Sequence, residues 1–177
     1  MEKSQKTIGA FPGKFLPPHL GHVSMIKECA KKCDKLLVVV ADNTTNSRQL
    51  CEKAGIPFIP AKLRVKWLKA HFKNDKNIKV IFMNEDKLSA FPAPMEEWSN
   101  AFKKLTKNKV THKFADESYR ELNEKHFPEC KFVPFDRTSI NVSGTKIRNN
   151  PKKYFDFIIA EAQNWFAKNV ISKQNKN

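Results

Sequence analysis

The pattern of apolar and polar positions changes along the chain between segments typical of strands and segments typical of helices, and it predicts the secondary structure. Five short runs rich in β-branched and aromatic residues predict strands at 7–11, 35–41, 78–83, 110–115 and 131–135. Between and after them, apolar residues recur every three or four positions, which predicts helices at 19–33, 61–72, 94–106, 117–127, 151–159 and 161–170. This order predicts an α/β fold, doubly wound and Rossmann-like, with a mostly parallel five-stranded sheet and helices on both faces.

The second run, KLLVVVA at 35–41, is apolar after its first residue, as a strand buried on both faces of a parallel sheet should be. One domain is expected over 1–177, with its core at about 7–160 and C-terminal helices within 151–170. Segment 42–60, which carries Asn, Ser, Gly and Pro residues, is expected to be a long loop that covers substrate. Ligands of such sheets bind beyond the carboxyl ends of the strands, so functional residues are expected just after strands.

The formal net charge of +15 over 177 residues suits a nucleic acid, an anionic membrane surface or a small polyanion as partner. The lysines are scattered and form no basic block or stripe, so a solvated surface is favoured over nucleic-acid binding. No apolar run is long enough to cross a bilayer, and residues 1–6 carry no apolar signal segment, so a cytoplasmic location without a membrane partner is expected. Four cysteines without a CxxC pair favour thiols over a metal site.

The first candidate motif, GKFLPPHLGH at 13–22, follows the first predicted strand and opens a helix. His19 and His22 are three apart and share a helix face, and Gly21 between them removes a side chain where a bulky ligand group would approach. Free N–H groups at a helix start bind anions, and Lys14 adds a cation. These residues predict a phosphate cradle, although a histidine at this place also serves as a cap or packs in a core.

The second candidate motif, SGTKIR at 143–148, follows the fifth predicted strand. Ser143 and Thr145 offer hydroxyls, Gly144 permits close backbone approach, and Lys146 and Arg148 offer cationic donors that suit phosphate. By itself this segment also reads as a helix cap with a basic first turn. Anion sites after the first and the last strand meet at one switch point, so the pair predicts a nucleoside triphosphate site.

The paired motifs resemble those of the HxGH nucleotidyltransferases, and the spelling is most similar to the adenylyltransferase domain of NadR-type proteins of NAD synthesis. The similarity runs from about residue 8 to 159 and includes RVKWL at 64–68, the helix at 94–102 with Trp98, and Asp136-Arg137-Thr138. It implies an enzyme that joins ATP to nicotinamide mononucleotide. The P-loop kinase domain and the helix-turn-helix that accompany such domains have no counterpart in these residues, so kinase activity and DNA-binding repression are not expected.

The resemblance also implies roles for single residues. His22 would meet the α-phosphate and leaving oxygen, and the β- and γ-phosphates would meet Ser143, Thr145 and Arg148. The expected ATP-binding set is Gly9, Ala10, Phe11, Gly13, Lys14, His19, Gly21, His22, Ser143, Gly144, Thr145 and Arg148, and its catalytic members are Lys14, His19, His22 and Arg148. Mg²⁺ would bridge the phosphates, held by substrate and water and not by protein ligands. Trp98 is expected to stack on the nicotinamide ring, with a core position as its alternative, whereas Trp67 and Trp165 are expected in the core.

Other functions remain open at this point. Both motifs also serve cytidylyltransferases and phosphopantetheine adenylyltransferases, because a shared fold does not fix the substrate. A non-catalytic module that senses nucleotides and a basic nucleic-acid-binding protein are further alternatives. The sequence does not decide whether the acceptor is amidated or deamidated. It also leaves the oligomeric state open, and a homo-oligomer is one of the alternatives.

Overall fold

A computed structural model describes residues 6–135 and 140–174 of the chain. Five strands form one sheet: β1 (Ile8–Gly13), β2 (Lys35–Asp42), β3 (Ile78–Asn84), β4 (His112–Ala115) and β5 (Lys131–Pro134). All neighbouring strands are parallel, in the order β3-β2-β1-β4-β5. The order reverses between β1 and β4, so the carboxyl end of β1 lies at the switch point where such folds bind ligands. The predicted doubly wound parallel fold is confirmed.

Helices cover both faces of the sheet, and the side chains of β2 show this directly. Val38 and Val40 belong to one apolar cluster, whereas Leu37, Val39 and Ala41 belong to the other. The described residues form eight α-helices, which follow the strands or each other: α1 (Leu20–Ala30), α2 (Thr44–Lys53), α3 (Ala61–His71), α4 (Met95–Thr106), α5 (Arg120–His126), α6 (Gly144–Asn149), α7 (Ala160–Phe166) and α8 (Ser172–Gln174). The first cluster includes residues of α1, α3, α6 and α7, and the second includes Phe102 of α4. No helix in the described part of the chain is both long and apolar enough to span a membrane.

Two predicted elements are wrong. Segment 42–60 is not one long loop, because α2 occupies its middle and is capped by Asn43, whose side chain accepts from the N–H of Asn46 at 2.9 Å. Segment 151–159 is not an α-helix but consists of turns and one three-residue 3₁₀ turn at Phe155–Phe157. After it, Ile158 is extended and forms an antiparallel bridge with His19, so tertiary pairing outweighs the local apolar spacing.

Candidate active site

Two buried arginines from distant helices hold the loop between β1 and α1. Arg64 of α3 has no solvent exposure and donates from Nη1 to the carbonyl oxygen of Lys14 at 2.5 Å. Arg148 of α6 is also buried and donates from Nη1 to the carbonyl oxygen of Leu16. Between these carbonyls Phe15 is left-handed, with φ of 52°, which costs a residue other than glycine about 1–2 kcal/mol. Tertiary contacts therefore impose the loop conformation.

Asp42, the last residue of β2, neutralises one of these arginines. Its Oδ1 lies 2.7 Å from Nη2 of Arg64, and both side chains are buried. The buried hydroxyl of Ser47 in α2 donates to the same carboxylate oxygen. Since removal of one partner leaves the other charge buried and unpaired, this group ties α2 and α3 firmly to the carboxyl edge of the sheet.

The start of α1 places both histidines of the first motif on one face, as their spacing predicts. His19 is the N-cap, and its Nδ1 accepts a hydrogen bond from the backbone N–H of His22 at 3.3 Å. The ring of His22 stacks on that of His19 with centroids 3.6 Å apart and meets Phe15 edge-on at 4.8 Å. Burial lowers the pKa of His19 to about 4, so this ring is neutral at pH 7.

The second motif forms a helix cap and also touches the first motif. Ser143 is the N-cap of α6 and accepts from the N–H of Lys146 at 3.2 Å, while Thr145 Oγ1 accepts from Nη2 of Arg148 at 3.2 Å. A Cβ on Gly144 would lie 2.6 Å from the carbonyl oxygen of Leu16. The backbone of α6 therefore approaches the first loop as closely as only glycine permits. The two predicted cradles meet at Leu16, and the exposed residues Ser143 and Thr145 lie on the same helix start.

Several predicted ATP-binding residues are occupied by packing. The side chains of Ala10 and Phe11 lie in the two opposite cores, which leaves only their backbone groups for a ligand. A Cβ on Gly9 would lie 2.5 Å from the ring of Phe114, so this glycine is required inside the sheet. The space beside Gly13 is filled by the Phe15 ring, 2.9 Å from the Cβ position. At Gly21 the ring of His19 and the side chain of Val142 lie 3.1 and 3.2 Å from that position, so the protein fills space that was predicted for a ligand.

A cavity of about 470 Å³ adjoins the loop at the carboxyl ends of β1, β2 and β4. Its wall includes Lys14, Glu85, Phe91, Trp98, Lys113 and Tyr119. Lys14 belongs to both the loop and the cavity, and its Nζ donates to Asn46 Oδ1 at 2.5 Å. Burial lowers the pKa of Lys14, against an opposing effect of Asp42 and Glu85. A smaller depression of about 340 Å³ lies among lysines at the amino end of β3, away from both motifs.

Trp98 lines this cavity and also packs against the hydrophobic core. Its ring stacks on Phe102 at 5.2 Å with an interplanar angle of 16°, and its Nε1 donates to Glu85 Oε1 at 2.7 Å. Burial raises the pKa of Glu85, partly offset by this hydrogen bond. Trp67 is buried and meets Trp165 edge-on at 5.9 Å, in agreement with the core positions predicted for both. The motif residues Asp136, Arg137 and Thr138 lie outside the described residues.

Sequence reasoning assigned no role to three residues that contribute to this site: Arg64, Glu85 and Lys113. Arg64 has a weak signal, since it is a charged residue on the apolar face of a predicted helix beside Trp67 and Leu68. Lys113 has a similarly weak sequence signal, since it interrupts an otherwise apolar or aromatic strand. Their partners lie far away along the chain, so neither role follows from local spacing.

The fold, the switch-point site and the two contacting motifs define a nucleotide-binding α/β protein. The chain belongs to the cytidylyltransferase-like family, whose model matches residues 10–150, and thus to the HxGH nucleotidyltransferases that the sequence predicted. The chain is 31% identical over 176 residues to the trifunctional NAD biosynthesis/regulator protein NadR of Escherichia coli (strain K12), an alignment that covers 95% of this chain and 42% of that protein.

A solved structure of NadR protein in complex with NAD and AMP-PNP is also similar, with a TM-score of 0.69 and 30% identity. The alignment covers 89% of this chain and 46% of that chain. The phosphopantetheine adenylyltransferase of Wigglesworthia glossinidia brevipalpis is 35% identical over 83 residues, which cover 47% of this chain and 43% of that enzyme. This chain therefore spans less than half the length of the NadR proteins that it matches.

Proposed function

We propose that this chain transfers AMP from ATP to nicotinamide mononucleotide, giving NAD and pyrophosphate. The observation that carries the proposal is the contact of the two motifs at Leu16, in a loop whose Lys14 lines the same cavity as Trp98. The NadR structure with NAD and AMP-PNP supports it, because those ligands are an adenylated nicotinamide nucleotide and an analogue of ATP. The cytoplasmic location stays a prediction, and the oligomeric state stays open.

The reaction needs positioning and charge neutralisation more than a protein base. A phosphate oxygen of the acceptor attacks the α-phosphorus of ATP, the bond from this phosphorus to the bridging oxygen breaks, and pyrophosphate leaves. The attacking group is already an anion, so the task is to place it in line and to stabilise charge on the leaving oxygen. Neutral His19 carries its proton on Nε2 because its Nδ1 accepts from His22, which makes Nε2–H a donor for a phosphate.

The cations of the site divide into two groups. Arg64 and Arg148 donate hydrogen bonds to loop carbonyls, so their main contribution is to fix the loop. Lys14 is half-buried between the loop and the cavity, where it can meet phosphates of either substrate. We therefore assign direct phosphate contact to Lys14, His19 and His22, with the exposed hydroxyls of Ser143 and Thr145 on the outer phosphates.

Magnesium would enter this site with the nucleotide. Within residues 6–135 and 140–174, no three His, Cys, Asp or Glu side chains are grouped so that they could hold a metal ion. The cations Lys14, Arg64 and Arg148 belong to or contact the loop. The carboxylate of Asp42 is already paired with Arg64, so these side chains do not form a magnesium cage. These residues fit an ion that is carried by the phosphates and water, and its chemistry would be to neutralise charge on the triphosphate.

The test is product analysis with a panel of substrates. The purified chain is incubated with ATP, Mg²⁺ and one acceptor at a time: nicotinamide mononucleotide, nicotinate mononucleotide or phosphopantetheine. In a parallel series, CTP replaces ATP and an alcohol phosphate is the acceptor. NAD and pyrophosphate in equal amounts from ATP and nicotinamide mononucleotide are expected. Turnover confined to phosphopantetheine, or robust use of CTP, would refute the proposal in favour of a sister enzyme.

A further inference from the structure

Lys113 on β4 is a nearly fully buried lysine in a box of aromatic rings. Its side chain is 2% exposed, and its Nζ lies 3.9 Å from the ring centroid of Phe102, 4.2 Å from that of Phe127 and 5.2 Å from that of Trp98. It also lines the cavity beside the phosphate loop, as Trp98 does. An ammonium group in such a box is attracted to the ring faces, but these contacts do not replace its hydration.

No carboxylate among the described residues forms an ion pair with Lys113. Burial lowers the pKa of its amine to about 7, with a small opposing effect from the thiol of Cys130. Other ionisable groups surround the box and the cavity: Lys103 beside Phe127, Glu85 on the indole nitrogen of Trp98, Lys14 on the loop, and Asp116 and Tyr119 in the cavity wall. Lys113 therefore belongs to the wall of a cavity, and its amine lacks a counter-charge among the described residues that would stabilise its charged form.

We propose that Lys113 binds the substituent at position 3 of the acceptor's pyridine ring, and that through this lysine the cavity also takes the carboxylate form, nicotinate mononucleotide, as an acceptor. This inference rests on the proposed function, since it takes Trp98 as the ring platform. We place the phosphate at Lys14 and the ring against Trp98, which brings the ring substituent to the part of the wall that Lys113 forms, 5.2 Å from the Trp98 ring. A carboxylate supplies the missing counter-charge, whereas the neutral amine donates a hydrogen bond to a carboxamide oxygen.

Glu85 works in the opposite direction. Its carboxylate accepts from the Trp98 indole and faces the same cavity, so it favours a pyridinium cation and disfavours an added carboxylate. The balance between the two acceptors therefore depends on the charge of Lys113. Its charged fraction falls from about 0.9 at pH 6 to about 0.1 at pH 8 for a group that titrates near pH 7.

The first test compares kcat/KM for the two acceptors between pH 6 and 8. In the wild type, the ratio of nicotinate to nicotinamide mononucleotide is expected to fall about tenfold over this range, following the charged fraction. Lys113→Met should lower the ratio about tenfold at pH 6 and remove its dependence on pH. The methionine fills the aromatic box without a charge, so the variant should fold. Lys109→Met, which removes an exposed lysine three residues before β4, is the matched control and should leave the ratio as in the wild type.

The second test reads the titration of Lys113 without turnover. Tryptophan fluorescence should change with a midpoint near pH 7 in the wild type, because the amine lies 5.2 Å from Trp98, and this step should be absent in Lys113→Met. Nicotinate mononucleotide should move the midpoint to higher pH, and nicotinamide mononucleotide should not. A wild type that uses only the amidated acceptor at every pH, or a ratio unchanged in Lys113→Met, overturns the role of Lys113 while the adenylyltransferase proposal stands. If neither mononucleotide is turned over, the proposed function fails, and the fluorescence midpoints alone decide whether Lys113 binds the carboxylate.

Discussion

The ring of His19 is nearly fully buried and neutral at pH 7, while its stacked neighbour His22 is half-buried at the mouth of the helix start. The two imidazoles therefore have different physical tasks. His19 caps α1 and keeps the register of the motif, because its Nδ1 is engaged with the N–H of His22. His22 is the ring that is better placed to follow charge as it develops on a leaving phosphate.

This difference predicts the effect of His22→Ala on the rate. Loss of one donor to a developing charge should lower kcat about 10²–10³-fold, while the KM for ATP changes much less. Steady-state kinetics measures both constants. His126→Ala, at the end of α5 and outside both motifs, is the control and should behave as the wild type. Near-normal turnover of His22→Ala would remove His22 from the phosphate site.

Trp98 allows a second test at the same scale. If the indole stacks on the acceptor ring, Trp98→Ala should raise the KM for the mononucleotide about tenfold, since stacking contributes about 1–1.5 kcal/mol equally in the ground and transition states. Trp98→Phe should recover part of this loss but not the hydrogen bond to Glu85. Trp98 also stacks on Phe102, so the alanine variant should lose thermal stability as well.

The phenylalanine variant separates these two effects. It retains most of the contact with Phe102, so its melting temperature should stay near that of the wild type while the KM for the mononucleotide still rises severalfold. A drop in melting temperature with an unchanged acceptor KM would show that Trp98 is only a core residue.

At the scale of elements, α6 approaches the backbone of the β1–α1 loop very closely at Gly144. A methyl group at Gly144 would stand 2.6 Å from the carbonyl oxygen of Leu16, a distance that real Cβ atoms do not tolerate. Gly144→Ala is therefore expected to displace α6, to weaken the hydrogen bond of Arg148 to the loop, and to lower kcat/KM for ATP at least tenfold.

Gly55 provides the contrasting substitution. It has a φ of +67° with open space around its Cβ position and lies just after α2. Gly55→Ala should lower the melting temperature through backbone strain, with the kinetics per folded molecule unchanged. Equal kinetic effects of both substitutions would contradict a specific role for the contact at Gly144.

Local pattern predicts the strands of this chain well and some of its helices poorly. The apolar run of β2 predicts a strand buried on both faces, and the structure has one. The helix α2 is missed because its residues are mostly polar, and its only local signal is the N-cap residue Asn43. The segment before Ile158 has helical spacing, yet its geometry is set by pairing with His19, nearly 140 residues earlier in the chain. Arg64 and Lys113 were unassigned for the same reason, since the loop carbonyl and the aromatic box that define them are assembled by the fold.

For the whole molecule, the buried amine of Lys113 makes stability depend on pH. In the folded chain the pKa of Lys113 is about 7, whereas in the unfolded chain it is that of an ordinary lysine. At a pH between these two values, the unfolded chain binds more protons than the folded chain. Stability therefore rises with pH from 7 upwards, and the cost of the buried charge is greatest at pH 7 and below.

Lys113→Met isolates this contribution. The variant should be more stable than the wild type at pH 6.5, and the difference should shrink as the pH rises to 9. Denaturant unfolding at several pH values measures it, with Lys109→Met as the reference for loss of an exposed lysine charge. A stability difference that is constant with pH would mean that Lys113 keeps its proton throughout this range.

The hydrogen bond from Arg148 to Leu16 joins residues that are 132 positions apart. During synthesis the segment with both histidines is translated first, and the guanidinium that fixes its loop follows more than a hundred residues later. Because non-local contacts of this kind form only after the intervening chain has been made and ordered, the ribosome-bound protein has the histidines without the completed loop. A nascent chain therefore cannot acquire catalytic competence in step with its growth, and competence should appear abruptly once α6 has docked.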